Sequence, residues 1–171
     1  MGWPVLSDVQ LRAGRMADIP ELVALENRSF STDQLAARNF RRFLCDGRST
    51  LLVAELSSCP PVGPASAGHL PVAGRLVGYV LVLYRANTKA GRLYSIAVSE
   101  VARGRGVGEA LLAAAERAAI AGGRTAMRLE VRPDNRDALR LYEKHGYRVF
   151  ATCPGFYEDG TDALRLEKVL A

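Results

Sequence analysis

The sequence contains few of the residues that build metal sites and disulfide frameworks. Its 171 residues include 3 cysteines and 2 histidines. Cys45, Cys59 and Cys153 are widely separated and form no CxxC pair, and only His69 and His145 supply imidazoles. An odd number of scattered cysteines with so few nitrogen donors is typical of reduced, partly buried thiols. We therefore expect no bound metal.

Long apolar runs are absent as well. No segment approaches the roughly 20 consecutive apolar residues that a membrane-spanning helix needs. The first ten residues, MGWPVLSDVQ, lack the basic flank and the apolar stretch of a signal peptide. These two absences predict a cytoplasmic protein without a membrane partner.

The composition that is present is that of an ordinary globular protein. Hydrophobic residues make up 49% of the chain, charged residues make up 24%, and the mean hydropathy is +0.01. These values exclude an intrinsically disordered chain and a fibrous one. At roughly 100 to 200 residues per domain, residues 1–171 are predicted to form a single domain.

The chain carries an excess of base that consists almost entirely of arginine. Lysine and arginine total 23 against 18 acidic residues, which gives a net charge of +5, and all but three of the bases are arginine. The planar guanidinium suits phosphate and carboxylate, so an anionic ligand is favoured. The arginines are spread along the chain and no basic run alternates with aromatic residues. This distribution disfavours nucleic acid as a partner.

Apolar periodicity predicts a regular series of strands and helices. Strands are predicted over 9–15, 50–56, 75–84, 92–98, 126–132, 147–152 and 162–169. Helices are predicted after Asp18, after a cap at Ser31, Thr32 or Asp33, over 107–121, and from Asp134 or Asn135 to about 145.

This order predicts an α/β (α+β) fold with one central mixed sheet flanked by helices. The strand–helix–strand passages around residues 95–131 favour parallel pairing, because parallel neighbours need a crossover connection. Residues 58–74 are rich in Pro, Gly, Ser and Ala and show no periodicity. We expect this segment to form a long flexible loop inside the domain.

The segment with the clearest chemical signal joins a predicted strand to a predicted helix. Its sequence is Arg103-Gly104-Arg105-Gly106-Val107-Gly108. Glycines let the backbone approach a ligand closely, and the unpaired amides at a helix start attract anions, so the segment suits a phosphate. A nucleotide P-loop needs a lysine that is missing, and a dinucleotide fingerprint needs glycine where Glu109 stands. A glycine-rich turn without a ligand is the alternative.

The same residues resemble a known family. Arg103-x-x-Gly106-x-Gly108 after a strand is similar to the (Gln/Arg)-x-x-Gly-x-(Gly/Ala) pyrophosphate loop of the GNAT N-acetyltransferase superfamily. Residues 129–135 (LEVRPDN) and 138–147 (ALRLYEKHGY) resemble the branch that includes ribosomal-protein-alanine N-acetyltransferases, as do residues 155–163. Residues 30–44 are similar to acetyltransferase modules that occur joined to a peptidase-like domain.

The resemblance implies a binding site for acetyl-CoA. The pantetheine arm is expected to pair with the backbone of a strand edge, the pyrophosphate to lie on the glycine-rich segment, and one asparagine to contact CoA. The residues that carry these roles here are Ile96, Ala97, Val98, Arg103, Gly104, Arg105, Gly106, Val107, Gly108 and Asn135. Ordinary solvent exposure is the alternative for either arginine, and a helix cap is an additional role for Asn135.

The resemblance also implies a general base, Glu130, and a general acid, Tyr142. An amine attacks a thioester only when it is deprotonated, so a carboxylate takes its proton directly or through water, and a phenol can protonate the departing thiolate. The alternatives are an ion-paired strand face shared with Arg128 and Arg132, and a core tyrosine. An acyl-enzyme on Cys153 with His145 is disfavoured, because no third group is identifiable.

The resemblance further implies that Tyr157 and Asp159 lie on the substrate side of the site. Together with Glu158 and Asp162 they would form an acidic, aromatic rim that suits an amine or a basic peptide N-terminus. A plain surface hairpin is the alternative for this segment.

The function that these observations predict is acetyl-CoA-dependent N-acetyl transfer in a ternary complex. The acceptor is a primary amine, and the resemblance favours the α-amine of a peptide or protein. Two alternatives stay open, a small-molecule amine acetyltransferase and a non-catalytic acyl-CoA-binding or peptidase-associated module. The sequence gives no prediction of the oligomeric state.

Overall fold

Strands and helices follow one another in the predicted order. A computed structural model of the protein describes residues 8–57 and 75–171, so the predicted loop at 58–74, with Cys59 and His69, lies outside the described residues. The strands are β1 (Val9–Ala13), β2 (Ser49–Leu56), β3 (Leu76–Tyr84), β4 (Ala90–Val98), β5 (Ala126–Val131), β6 (Arg148–Cys153) and β7 (Ala163–Val169). The helices are α1 (Ile19–Ser29), α2 (Ala37–Cys45), α3 (Val107–Ala121) and α4 (Arg136–Lys144).

The described strands form one mixed sheet in the order β1-β2-β3-β4-β5-β7-β6. β4 and β5 are parallel, and all the other neighbours are antiparallel. α3 connects the two parallel strands, as a crossover must, because a tight turn cannot join parallel neighbours. The expected α/β fold with a central mixed sheet is confirmed.

Helices cover the two faces of the sheet unequally. Alternate residues of β3 separate two apolar clusters, with Val80 and Val82 on the α3 side and Tyr79 and Leu81 on the side of α1 and α2. α1 and α2 pack on β2, β3 and β4. On β5 the apolar residues face α3 and α4, so Arg128 and Glu130 point to the opposite face. That face of β5 and β7 is left partly open to solvent.

β4 and β5 separate half-way along their length. Their last paired residues are Leu93 and Leu129. At this point β4 contains a bulge, since Leu93 pairs with Val82 and Ser95 with Leu81, which leaves Tyr94 as the extra residue. Ile96, Ala97 and Val98 pair with β3 only. One edge of β4 therefore stays open over these residues.

The predicted cap of the second helix is wrong. α2 begins at Ala37, and the carboxamide oxygen of Asn39 accepts from the amide of the N-cap residue Ala36 at 2.9 Å. Ser31, Thr32 and Asp33 precede it in an irregular segment, which a tertiary bond from Leu35 N to the Glu26 carboxylate (2.9 Å) keeps out of the helix. Asp18 is the N-cap residue of α1 as predicted, although its carboxylate binds Arg12 and the Arg15 amide and not the first amides of the helix.

Within residues 8–57 and 75–171, no helix is long and apolar enough to span a membrane. In the same part of the chain, no group of three or more His, Cys, Asp or Glu side chains is arranged to hold a metal ion.

Candidate active site

A cavity of about 560 Å³ lies where β4 and β5 separate. Its walls come from the end of α1 and the segment before α2, from β4, from the end of β5, from α4 and from Phe156 and Tyr157. The lining includes five residues predicted for the site, namely Ile96, Glu130, Asn135, Tyr142 and Tyr157. These residues span sequence positions 96 to 157, and they meet because the sheet opens here.

The glycine-rich turn lies at the start of α3, next to the open edge of β4. Gly104 and Gly106 have φ angles of +73° and +77°, a left-handed conformation that strains any residue with a side chain. Ala110 is the first residue whose amide reaches a carbonyl four residues back, that of Gly106, at 2.9 Å. The amides before it point out of the helix start and can donate to an anion.

Gly108, in the first turn of α3, faces side chains of both β4 and α4. A Cβ at Gly108 would lie 3.6 Å from Val98 and 3.7 Å from Leu141, so it would enter the space between β4 and α4. The Arg103 guanidinium donates to the Val98 carbonyl at 3.3 Å, and Arg105 forms an ion pair with Asp8. An open strand edge that leads to free helix amides fits the pantetheine and pyrophosphate of a CoA thioester.

Asn135 caps α4 and also lines the cavity. Its side-chain oxygen accepts from Ala138 N at 3.2 Å. The predicted capping role is confirmed, while the amide nitrogen of the same side chain stays available to a ligand in the cavity.

Glu130 is held at the cavity wall by two arginines of neighbouring strands. Arg92 on β4 lies 3.0 Å from one carboxylate oxygen, and Arg165, directly opposite on β7, lies 3.5 Å from the other. The Glu130 side chain is 10% exposed. Arg128 and Arg132, which were expected to share a strand face with Glu130, form ion pairs with other acids. Arg128 pairs with Glu167, and Arg132 pairs with Asp159. Each carboxylate oxygen keeps a second lone pair that can accept a proton or a hydrogen bond.

Tyr142 belongs to the core and to the cavity at once. It is buried, and its ring packs edge-on against Tyr147 with centroids 5.6 Å apart. It also lines the cavity, and its hydroxyl has no hydrogen-bond partner among residues 8–57 and 75–171. Burial raises the pKa of this phenol, so it keeps its proton and can act as a donor.

The two residues predicted for the substrate side have different surroundings. Tyr157 lines the cavity, its burial raises its pKa to about 12, and the Arg132 guanidinium lies 4.2 Å from the centre of its ring. Asp159 lies outside the lining and accepts from Arg132 at 2.9 Å. The Arg132 guanidinium lowers the pKa of this carboxyl to about 2.

Arg132 fastens two segments of the site together, and the sequence interpretation missed it as a site residue. One guanidinium nitrogen binds Asp159, and another binds the Thr32 hydroxyl at 3.0 Å. The segment before α2 is thereby tied to the segment between β6 and β7 across the cavity. The available signal was its place two residues after Glu130, on the same face of the strand.

A buried carboxylate, Glu26, was missed as well. It lines the cavity from α1, and its oxygens accept from Leu35 N at 2.9 Å and from the Tyr79 hydroxyl. The Tyr79 oxygen lies 2.7 Å from the Ser95 hydroxyl on β4. Burial raises the pKa of Glu26. Its spacing of four from Leu22 put it on the buried face of the helix, which was the signal in the sequence.

Residues 21–147 match the acetyltransferase (GNAT) family. The chain belongs to this family. It is 38% identical over 96 residues to an uncharacterized N-acetyltransferase of Methanocaldococcus jannaschii, over 56% of this chain and 60% of that protein, so it spans less than two thirds of this relative. It is 28% identical to an N-alpha-acetyltransferase of Sulfurisphaera tokodaii over 91% of this chain and 90% of that one.

The family fold is also that of a solved relative. The structure of Ard1 from Thermoplasma volcanium superimposes with a TM-score of 0.79 over 96% of this chain and 99% of that one, at 23% identity. The residues that match the family include β2 to β5 and the turn at the start of α3, whereas β1, β6 and β7 lie outside them.

Proposed function

We propose that the protein transfers the acetyl group of acetyl-CoA directly to a primary amine, and that the amine is the α-amine of a peptide or protein. One observation carries the proposal: a cavity lined by Glu130 and Tyr142 opens at the free edge of β4, next to the glycine-rich start of α3. A donor site and a pair of proton-handling groups therefore lie side by side.

The donor site is formed by main-chain groups. The outward-facing amides and carbonyls of Ile96 and Val98, on either side of Ala97, bind an extended pantetheine arm along the open strand edge. The amides of Gly106, Val107 and Gly108 bind the pyrophosphate at the start of α3, and Arg103 and Arg105 add positive charge beside it. Acetyl-CoA supplies a thioester carbonyl that an uncharged amine can attack.

Glu130 receives the proton of the acceptor amine, directly or through a water molecule. The two arginines fix the position of its carboxylate at the wall of the cavity, and the free lone pairs face the space where the amine binds. A free α-amine has a pKa of about 8 and a lysine amine one of about 10.4, so the α-amine releases its proton more easily.

Tyr142 donates to the leaving sulfur. Its hydroxyl has no competing protein acceptor in the described residues, and burial keeps it protonated. A hydrogen bond from this phenol stabilises the thiolate as negative charge develops on it, and the proton can follow.

The α-amine of a peptide is favoured by the relative that matches over most of the chain, which is named an N-alpha-acetyltransferase. The cavity is also open toward the uncovered face of β5 and β7, where a polypeptide can extend beyond the reacting amine.

The test is turnover of acetyl-CoA with a mixed panel of peptides and small amines, with the products identified by mass. The proposal expects a mass increase of one acetyl group on the peptide N-terminus, and none on a peptide whose N-terminus is blocked. Transfer to small amines alone would contradict the peptide assignment. Binding of acetyl-CoA without any acetylated product would contradict the proposed activity and favour a non-catalytic module.

A further inference from the structure

A second cavity, of about 330 Å³, adjoins the first on the open face of β5 and β7. The two cavities share Arg92, Glu130 and Phe156 in their walls. An acceptor whose amine lies near Glu130 therefore has its next atoms at the entrance of the second cavity.

The two cavities have opposite charge. Four acids and two arginines line the first, which are Glu26, Asp33, Glu130, Asp134, Arg92 and Arg132. Four arginines and, among the described residues, one acid line the second, which are Arg85, Arg92, Arg128, Arg165 and Glu130. The amine end of the site is thus acidic, and the adjoining end is strongly basic.

The guanidiniums of the second cavity are only partly neutralised. Arg92 and Arg165 share the single charge of Glu130, and Arg128 pairs with Glu167. The side chain of Arg85 has no partner among the described residues. Arg128 and Arg165 keep 45% and 36% of their side chains exposed, so several of their N–H groups stay available to an anion.

We propose that the acceptor carries carboxylates close to its amine and that this arginine-lined cavity binds them. The inference rests on the proposed acetyl transfer. An ammonium group enters the acidic cavity, and acidic side chains in the next few residues of the same chain meet the arginines, since each extended residue advances by about 3.3–3.6 Å. Asp159, one of the residues expected to form an acidic rim for a basic peptide, is neutralised by Arg132.

The first experiment compares peptides that differ only in charge. Three peptides share one N-terminal residue and carry three glutamates, three glutamines or three lysines at positions 2 to 4. We expect kcat/KM to be about tenfold higher for the glutamate peptide than for the glutamine peptide, mostly through KM, and lowest for the lysine peptide. The preference should weaken as salt is added.

The second experiment assigns the preference to the cavity. Arg85→Gln and Arg128→Gln leave the two arginines that hold Glu130 in place. Each should lower kcat/KM for the glutamate peptide several-fold more than for the glutamine peptide. Arg117→Gln is the matched control, because it removes the same charge from an exposed position on α3, on the other side of the sheet. It should leave the ratio unchanged.

Small amines distinguish the source of the carboxylate. We compare kcat/KM for free glutamate with kcat/KM for free glutamine, in the same way as for the glutamate and glutamine peptides. A preference for the acidic member among peptides supports an acidic peptide, and a preference only among the free amino acids supports a small acidic amine. This inference is overturned if kcat/KM is equal for the acidic, neutral and basic acceptors. It is also overturned if the preference for the acidic acceptor is unchanged in Arg85→Gln and Arg128→Gln. Either result leaves the proposed transfer reaction intact. Absence of any turnover counts against the proposed function.

Discussion

The donor end and the acceptor end of the cavity bind their ligands in different ways. The donor end is made of backbone, with an open strand edge over Ile96–Val98 and the amides at the start of α3. The acceptor end is made of charged side chains, in which arginines from β4, from β7 and from the segment after β5 hold the acids. Backbone groups bind a fixed ligand whatever the surrounding side chains are, whereas a charged wall can be changed residue by residue. Substitutions can therefore alter donor binding and acceptor choice separately.

The largest effect is expected at the donor end, from Gly108→Val. The added side chain would fill the gap between Val98 and Leu141, where a Cβ alone lies 3.6 and 3.7 Å from their side chains. We expect acetyl-CoA affinity to fall about 100-fold in calorimetry, because the added side chain would keep the pyrophosphate away from the amides at the start of α3. Gly122→Ala, at the other end of α3, is the control and should bind as the parent does. Equal binding by Gly108→Val would show that the donor lies elsewhere.

A slightly smaller effect is expected where the two ends meet, from Tyr142→Phe. The change removes one hydroxyl and little volume, so kcat should fall roughly 100-fold with little change in acetyl-CoA affinity. Tyr147→Phe is the matched control, since its hydroxyl binds Glu116 outside the cavity. If the two variants lose the same fraction of kcat, Tyr142 is only a core residue.

At the acceptor end, Arg132→Gln should release the two segments that the guanidinium joins. We expect a several-fold rise in the KM of the acceptor, with the KM of acetyl-CoA nearly unchanged, because neither Thr32 nor Asp159 touches the donor end. Steady-state kinetics with both substrates varied measures the two constants. A parallel rise of both would show that the segments do not act on the acceptor alone.

The same pair gives a pH effect on stability. Arg132 lowers the pKa of Asp159 from 3.8 to about 2, so the pair contributes to folding above the ordinary carboxyl pKa and the contribution is lost as the pH falls toward 2. Denaturant midpoints between pH 2 and 5 should therefore fall less steeply with acid in Arg132→Gln than in the parent. An identical slope would mean that the pair does not form in solution.

The smallest effect is expected at Glu26. Burial raises the pKa of this carboxyl above 4.5, so the folded protein holds a proton that the unfolded chain has already released. Stability should fall as the pH rises from 4.5 through the raised value, and then level off. Glu26→Gln keeps the shape of the side chain and one of its two acceptor oxygens, and it cannot titrate. It should therefore abolish this part of the pH dependence of stability in urea titrations. A slope that persists in the variant would contradict the assignment to Glu26.

The difference between the two ends also explains how much the sequence revealed. The positive φ angles of Gly104 and Gly106 show that the local conformation of the α3 turn requires glycine. Such a requirement can be recognised from residues that are adjacent in the sequence. The order of strands and helices along the chain and the crossover helix followed from apolar periodicity for a similar reason. The family resemblance supplied Glu130 and Tyr142, which the fold brings to one cavity.

The acceptor end depends on contacts between residues that are far apart in sequence. Arg132 and Thr32 are separated by 100 positions, and Arg92 and Glu130 by 38. Charged partners of this kind follow no period, so alternation placed Glu130 on one face with Arg128 but could not identify Arg92 and Arg165 as its partners. The predicted cap at Ser31, Thr32 or Asp33 failed for the same reason, because the distant Glu26 takes the Leu35 amide and shifts the start of α2 to Ala37.

The central claim is that Glu130 removes the proton of an amine that then attacks the bound thioester. Its most direct test is the pH dependence of kcat/KM for the parent and for Glu130→Gln with one peptide acceptor, from about pH 6.5 to 9.5, which brackets an α-amine pKa of about 8. The account predicts a large loss at neutral pH that shrinks as the pH rises past the pKa of the amine, because a neutral amine no longer needs a base. A loss that is equal at every pH, or no loss, would contradict it.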